Sequence, residues 1–279
     1  CATAAGCASE HLGIVAAAVQ AVCEPPFNLL GVQTTTGTAT PLIIVHGPVA
    51  ERARVSGGPD CLGGSTHANA AVGRALRLLL RALGGAAPAT MDRATMGQPA
   101  KLGLCFAENV AASPWPPLHT TLGFEPTESA VTVVGVSGSV EVVHAEDGGP
   151  EEFLTTLAGS MSIAGNAGSR GLLGGGSPLL VLSPEHAQAL DRVGLDRGQV
   201  CQALWEGAVL PWERLAPSVA SRLRRSLEPA GVAPAEGLRV ATRPEDILVA
   251  VAGGIGVKST YLPSWGGGTR AVTVRVEHG

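Results

Sequence analysis

Lysine is almost absent from this chain of 279 residues: Lys101 and Lys258 are the only two, and the other 17 of its 19 basic residues are arginines. The formal net charge is -4 and the sequence pI is near 6.0. The chain therefore has no basic footprint of the kind that binds nucleic acid. Aromatic residues make up only 3%, so we expect a core of leucine, valine and alanine. Because lysine is so rare, both lysines are candidates for substrate binding.

The six cysteines are widely separated and include no Cys-x-x-Cys pair. This spacing argues against a zinc or thioredoxin-type motif, and the chain is too large to need a disulfide framework. No run of about 18 apolar residues is present, so no membrane span is predicted, and no segment resembles a signal peptide. We expect a cytoplasmic protein with reduced thiols.

The first residue is Cys1 rather than methionine. A missing N-terminal part is the favoured interpretation of this start. A processed N-terminal nucleophile is the alternative.

Hydrophobic periodicity predicts an α/β protein. Helices are predicted over residues 2–22, 68–83 and 152–164, and buried strands over residues 41–45, 130–136 and 246–252. Between residues 88 and 128 proline is dense and regular structure is scarce, which is typical of a functional loop.

The second part of the sequence echoes the first. The segment SPLLVLSP at residues 177–184 parallels TPLIIVHGP at residues 40–48, and the strand predicted at 246–252 parallels the one at 130–136. We therefore predict two similar α/β halves, residues 1–148 and 149–279, related by internal duplication and packed around a central sheet. A cleft between the halves would be the natural pocket. The alternative is coincidence, because short apolar strands look alike.

A glycine-rich turn, SGGPDCLGGSTH at residues 56–67, runs directly into the helix predicted at residue 68. A helix N-terminus offers unpaired N–H groups and a partial positive charge, so polar residues crowded there predict an anion site. Cys61 is then a candidate nucleophile and His67 a candidate acid/base. The candidate substrate-binding residues of this turn are Ser65, Thr66 and Asn69. The alternative is an ordinary helix N-cap after a glycine turn.

Glu108 and Asn109 stand side by side after a short apolar run, KLGLCFAEN, that begins at Lys101. Glu108 could be a general base or a metal ligand, and Asn109 could clamp a substrate carbonyl or carboxylate. The alternative is an exposed turn after an edge strand.

The next segment, SPWPPLH at residues 113–119, contains three prolines that fix the backbone around Trp115 and His119. We expect Trp115 to line a pocket and bind substrate, and His119 to form an acid/base pair with Glu108. The alternative is a packing hook in which His119 is hydrogen-bonded.

The strand predicted at residues 246–252 is followed by GGIGVKST. The phosphate-loop pattern GxxxxGK[ST] needs glycine directly before the lysine, and Val257 stands there instead. We expect instead that Lys258 and Ser259 face one cleft and hold an anionic substrate group.

Four residues could converge on a metal ion: His46, His67, Glu108 and His119. No His-x-His or His-x-x-x-His spacing supports such a site locally. No metal or other cofactor is therefore assigned from the sequence, and a metal site stays an open alternative.

Several of these motifs together resemble a bacterial family that is encoded beside, or fused to, UGSC-type domains, which carry a Cys- or selenocysteine-Gly-Ser-Cys motif. The shared motifs are NAxxGRA at residues 69–75, FAEN at 106–109, SPWxPLH at 113–119, GFxP at 123–126 and LSPEHA at 182–187. This chain has no Cys-Gly-Ser-Cys motif, and it begins where relatives have already run for some tens of residues. The resemblance implies a partner with thiol or sulfur chemistry.

The sequence therefore predicts an enzyme that acts on a small anionic metabolite by acid/base chemistry, of lyase or hydrolase type. No fingerprint for NAD, flavin or ATP is present, and acid/base groups alone suffice for elimination or addition. The alternative is a non-catalytic or half-site subunit of a heteromeric thiol/redox enzyme. A homo-oligomer or a complex with a UGSC-type partner is expected in either case.

Overall fold

The computed structural model describes residues 1–145, 148–166, 176–227, 236–266 and 268–277. Its α-helices are α1 (Ala2–Ala5), α2 (Leu12–Cys23), α3 (Leu29–Thr34), α4 (Pro48–Arg52), α5 (His67–Ala82), α6 (Gly149–Met161), α7 (Pro184–Arg192), α8 (Arg197–Gly207) and α9 (Pro217–Leu227). Its strands are β1 (Thr40–His46), β2 (Cys105–Ala107), β3 (Ala130–Val136), β4 (Val140–Val143), β5 (Leu179–Leu182), β6 (Val209–Pro211), β7 (Gly237–Arg239), β8 (Leu248–Val251), β9 (Lys258–Leu262) and β10 (Val272–Arg275).

Eight of these strands form two four-stranded mixed sheets. The first has the order β10-β3-β1-β2 and the second the order β4-β9-β5-β8. The expected single central sheet is therefore wrong. In each sheet the last pair in the order is parallel and the other pairs are antiparallel. Each sheet also borrows one edge strand from the other part of the chain, β10 in the first sheet and β4 in the second.

The two sheets pack face to face, and helices cover their outer faces. Alternate residues of a strand point to opposite faces, so Leu42 and Ile44 of β1 meet Leu179 and Val181 of β5 in a shared core. The intervening side chain of Ile43 packs outward with helices α2 and α5. Outward residues of the second sheet pack in the same way against α6, α7 and α8. The result is a four-layer α/β sandwich.

Two predicted helices need correction. The helix expected over residues 2–22 is interrupted, because Gly6 adopts a left-handed conformation (φ 91°) that ends α1. The helix expected over residues 152–164 is α6, which begins and ends three residues earlier. Regular structure is scarce in the proline-rich region after residue 88, as expected, but the region contains β2, a three-residue strand that pairs in parallel with β1. β2 is an edge strand of the first sheet, and it carries Glu108 at its end.

Within the described residues, no single helix has both the length and the apolar composition to cross a bilayer. One bent pair, Ser9–Cys23 with Pro25–Thr34, passes the same test only when its two helices are joined, and they meet at 74°.

Candidate active site

The site begins at the end of β1, where His46 is the last residue of a fully buried strand. Its side chain shares the face of Ile44, which points between the two sheets. The Nε2 atom of His46 lies 2.8 Å from the hydroxyl of Thr132 on the neighbouring strand β3. The Nδ1 atom lies 3.3 Å from Oε2 of Glu108. Strand pairing therefore fixes both ring nitrogens of this histidine.

Glu108 follows β2 directly, and its carboxylate is buried among groups that favour its charged form. Oε2 also accepts a hydrogen bond of 2.7 Å from the backbone N–H of Leu118. Oε1 lies 3.4 Å from Nη2 of Arg197. Burial alone raises the pKa of Glu108, but hydrogen bonding and charge from His46, with Arg197 and Leu118, hold that pKa below its ordinary value. The carboxylate is therefore ionised at neutral pH.

His119 lies in a 3-10 turn, Leu118–Leu122, and its side chain is fully buried. Its ring centroid is 5.2 Å from that of His46. Within the described part of the chain, neither ring nitrogen has a hydrogen-bond partner. Desolvation, with the electrostatic effect of His46, lowers the pKa of His119 and outweighs the Glu108 carboxylate and the nearby backbone of Glu125 and Pro126, which act to raise it. The imidazole is therefore neutral at pH 7.

Arg197 opens helix α8 and joins the second part of the chain to this cluster. Its side chain is buried and donates a hydrogen bond of 2.6 Å from Nη1 to the backbone carbonyl of Pro116. The Arg197 guanidinium is the cation that balances Glu108. No local pattern in the sequence marks this arginine as part of the site.

A cavity of about 410 Å³ opens onto the cluster. Its wall includes His46, Glu108 and His119, together with backbone at Gly47 and Gly57. Gly47 adopts φ 73°, and a Cβ at Gly57 would overlap the carbonyl oxygens of Ala107 and Glu108. Glycine is required at both positions because the chain passes so close to its neighbours.

Asn109 also lines this cavity, as the sequence suggested. Its backbone N–H donates to the carbonyl of Val251, and its Nδ2 donates at 3.1 Å to the carbonyl of Gly253. Asn109 therefore ties the end of β2 to the end of β8 across the two sheets. The side-chain oxygen is the group it could offer to a bound molecule.

The glycine-rich turn at residues 56–67 contributes only Gly57 and Gly58 to the cavity. Thr66 is the N-cap of α5, because its hydroxyl accepts a hydrogen bond from the backbone N–H of Asn69. The Asn69 amide is buried and bonds to backbone atoms of Ser56 and Cys61. The ordinary N-cap, which the sequence left open as the alternative, is what the structure has at this turn.

The other candidates of this turn also lie outside the cavity wall. Ser65 and His67 are exposed, and the Nε2 atom of His67 lies 2.7 Å from the carbonyl oxygen of Gly6. Cys61 is buried in the core between the sheets. Burial raises the pKa of the Cys61 thiol to about 11, which is the opposite of what an activated nucleophile needs.

Lys101 and Trp115 have packing partners away from the cavity. The Lys101 ammonium lies 2.8 Å from the carboxylate of Asp92, which also pairs with Arg77. The indole N–H of Trp115 donates at 3.1 Å to the backbone carbonyl of Leu195. Lys101 thus stabilises the loop before β2 through its ion pair with Asp92. Trp115 links the proline-rich segment to the second half through its hydrogen bond to Leu195.

The expectation that Lys258 and Ser259 face one cleft is wrong. They are adjacent residues of β9 and point to opposite faces of the sheet. Lys258 is exposed, whereas Ser259 is buried with its hydroxyl 2.8 Å from Nδ1 of His186. Neither residue is in the cavity wall.

Of the four residues that could converge on a metal, three do so. The ligand atoms of His46, Glu108 and His119 all lie within 4.8 Å of one another, and His67 is elsewhere. Thr132 and Arg197 complete the cluster and were missed. Thr132 could have been found from the strand pattern, because it interrupts an otherwise apolar strand on the face shared with His46.

No protein-family model, curated protein or solved structure matches this chain. The resemblance to the family associated with UGSC-type domains therefore stays a prediction.

Proposed function

We propose that this protein is an enzyme of hydrolase or lyase type, with its active site in the cavity at His46, Glu108 and His119. The single observation that carries the proposal is His119, a fully buried imidazole in the cavity wall whose two nitrogens have no partner among the described residues. A buried polar group without a partner is costly. Such a cost is typical of a side chain kept for chemistry rather than for packing.

The cluster supplies the groups that such reactions need. In hydrolysis it takes a proton from the attacking water and returns one to the leaving group; in elimination it removes a proton next to the leaving group. Glu108 is held ionised, and Asn109 offers an amide oxygen nearby. The cavity volume of about 410 Å³ suits a small molecule.

The anionic character of the substrate stays a proposal. Of the features on which it rested, Asn109 lines the cavity, whereas Lys258 and the start of α5 lie outside the cavity wall. None of the described residues that line the cavity is lysine or arginine. A homo-oligomer or a complex with a UGSC-type partner stays a prediction.

We also infer that the two sheets descend from one duplicated unit. The shared strand order and strand directions support this inference. Register pairs Val45 with Ala107 in one sheet and Leu182 with Val251 in the other, both in parallel. The strand at 246–252 therefore corresponds to β2, and its expected correspondence with the strand at 130–136 is wrong, because β3 runs antiparallel to β1. One position further on, His46 and Glu108 correspond to Ser183 and Ala252. His46, Glu108 and His119 would then all lie in the first half, and Arg197 reaches Glu108 from the second.

The test is turnover by purified protein on panels of small esters, amides, lactones and hydroxy acids, with products followed by mass spectrometry. His119→Gln and Glu108→Gln are each expected to reduce turnover by at least about 100-fold. His67→Gln, at an exposed site outside the cavity, is the matched control and is expected to keep full turnover. Full activity of the His119 and Glu108 variants would reject this active site.

A further inference from the structure

We infer that His46, Glu108 and His119 bind a divalent transition-metal ion of the zinc class. This inference rests on the proposed function and gives its active site an inorganic centre. Two imidazoles and one carboxylate are a donor set that zinc and its neighbours in the first transition row accept. The three side chains come from three separate segments of the first half, so no local sequence motif predicts that they form a metal site.

The distances between the ligand atoms fit this ion if His119 moves slightly toward the other two ligands. Zinc–nitrogen and zinc–oxygen bonds of about 2.0–2.2 Å place the ligands of a tetrahedral site about 3.3 Å apart. Nδ1 of His46 and Oε2 of Glu108 already lie 3.3 Å apart. The three ligand atoms lie within 4.8 Å of one another, and His119 has no hydrogen bond among the described residues that its movement would break.

The surroundings of His46 Nε2 also fit a metal ligand. With Nδ1 on the metal, Nε2 carries the ring hydrogen and donates it to Thr132 Oγ1, which lies 2.8 Å away and whose own partner is the Thr273 hydroxyl at 2.8 Å. Metal-ligating histidines ordinarily have such a partner on the second nitrogen, because it fixes the ring orientation.

The two carboxylate oxygens of Glu108 have different partners, and this arrangement leaves room for the ion. Oε1 faces Arg197, while Oε2 accepts from Leu118 N–H and faces His46 with its second lone pair. A metal ion bound to Oε2 would take up that second lone pair. Arg197 would then orient the carboxylate from the far side, as partners of ligating carboxylates do.

A bound divalent cation would also explain how the cavity binds an anionic substrate, although its wall has no lysine or arginine among the described residues. Glu51 and Glu108 are the only Asp, Glu, Lys or Arg residues in the described lining of the cavity. A divalent ion offsets the charges of these two carboxylates and presents a positive centre to a carboxylate or a carbonyl oxygen. We therefore infer a small substrate with an oxygen donor next to the bond that reacts.

The experiment uses the full chain, freed of metal with a chelator and then titrated with Zn²⁺ by calorimetry and with Co²⁺ by visible absorption. One equivalent is expected, with a Co²⁺ spectrum that lacks a sulfur charge-transfer band, since the ligands are nitrogen and oxygen. His119→Gln is expected to weaken binding by at least about 100-fold, more than changes beyond the ligands usually do. His67→Gln is the control and should keep the full affinity.

Thr132→Val is a second variant that tests the inference even if the ligand variants fail to fold. It removes the partner of His46 Nε2 and is expected to weaken Zn²⁺ binding by about 10- to 100-fold with one equivalent retained. No saturable binding by the wild-type chain, or binding that His119→Gln leaves unchanged, overturns the inference. A sulfur charge-transfer band overturns it too.

The outcomes separate this inference from the proposed function. Turnover by metal-free protein that Glu108→Gln abolishes would reject the metal and keep the enzyme. Zinc binding that depends on His119, without turnover of any substrate class, would keep the metal and reject the enzyme.

Discussion

Nδ1 of His46 lies 3.3 Å from Oε2 of Glu108, although 62 positions separate the two residues in the sequence. The parallel pairing of β1 with β2 brings them together, because each residue stands at the end of its strand on the face between the sheets. This contact defines the candidate site, and its surroundings lead to the predictions that follow.

Gly57 sets the position of Glu108. A methyl group at Gly57 would overlap the carbonyl oxygens of Ala107 and Glu108, so Gly57→Ala is expected to displace the carboxylate. We expect a loss of about 1–3 kcal/mol in the free energy of unfolding, measured by urea denaturation, together with loss of Zn²⁺ binding. Gly58→Ala is the matched control, because its added Cβ meets only the Ser56 hydroxyl at 3.5 Å. Equal effects of the two substitutions would contradict this role of Gly57.

Arg197 is the buried cation that pairs with Glu108. Arg197→Met keeps much of the side-chain volume but leaves a buried carboxylate without its cation, so the free energy of unfolding should fall by about 3 kcal/mol. The control is Arg192→Met on the exposed end of α7, which should change stability by less than about 0.5 kcal/mol. Thermal and urea denaturation measure both variants. A change at Arg197 as small as that of the control would show that the pair contributes nothing.

Asp92 should make stability depend on pH. Burial acts to raise its pKa, but hydrogen bonds from Lys101, Ala94 and Arg77 outweigh burial and hold the pKa below its ordinary value. A carboxyl whose pKa is lower in the folded state stabilises the fold above its unfolded pKa of about 3.9, and this contribution is lost as pH falls through the folded value.

Asp92→Asn is therefore expected to lower the free energy of unfolding by about 2 kcal/mol at pH 7, and the difference from wild type should shrink below about pH 4. Asp191→Asn, at an exposed position of α7, is the control and should have little effect at either pH. Urea denaturation at pH 7 and pH 3 provides the measurement. A difference for Asp92→Asn that is the same at both values would contradict the pairing.

Cys61 should be chemically inert in the folded protein. Its thiol is buried and its pKa is raised to about 11, whereas Cys1 and Cys23 are exposed. A thiol reagent at pH 8 is expected to modify the two exposed cysteines first and Cys61 only after unfolding. Peptide mapping by mass spectrometry locates each modified residue, and early labelling of Cys61 would show that it is reactive after all.

Cys61→Ala extends the same prediction to function. Turnover and Zn²⁺ binding should stay at wild-type levels, and the free energy of unfolding should fall by about 1 kcal/mol because a small buried side chain is lost. Loss of turnover with stability unchanged would return Cys61 to the list of catalytic candidates.

The sequence by itself determined some of the individual elements. The strand at residues 130–136 has the predicted bounds, and α5 (His67–Ala82) begins and ends one residue before the predicted limits. Apolar periodicity suffices for these elements, because burial of one face is a local requirement of helix and strand geometry. Glu108 and His119 were likewise found from local patterns, since unusual side chains stood beside proline and short apolar runs.

Only the tertiary structure decided which candidates meet. Thr66 caps helix α5 and Lys101 forms an ion pair with Asp92, so neither lies at the site. Lys258 and Ser259 point to opposite faces of β9. Arg197 reached Glu108 from 89 positions away, and Thr132 met His46 through antiparallel pairing. Such contacts depend on strand order and on the packing of two sheets, and neither is encoded in the spacing of neighbouring residues. The exchange of β4 and β10 between the sheets is of the same kind, because many strand orders bury the same apolar faces.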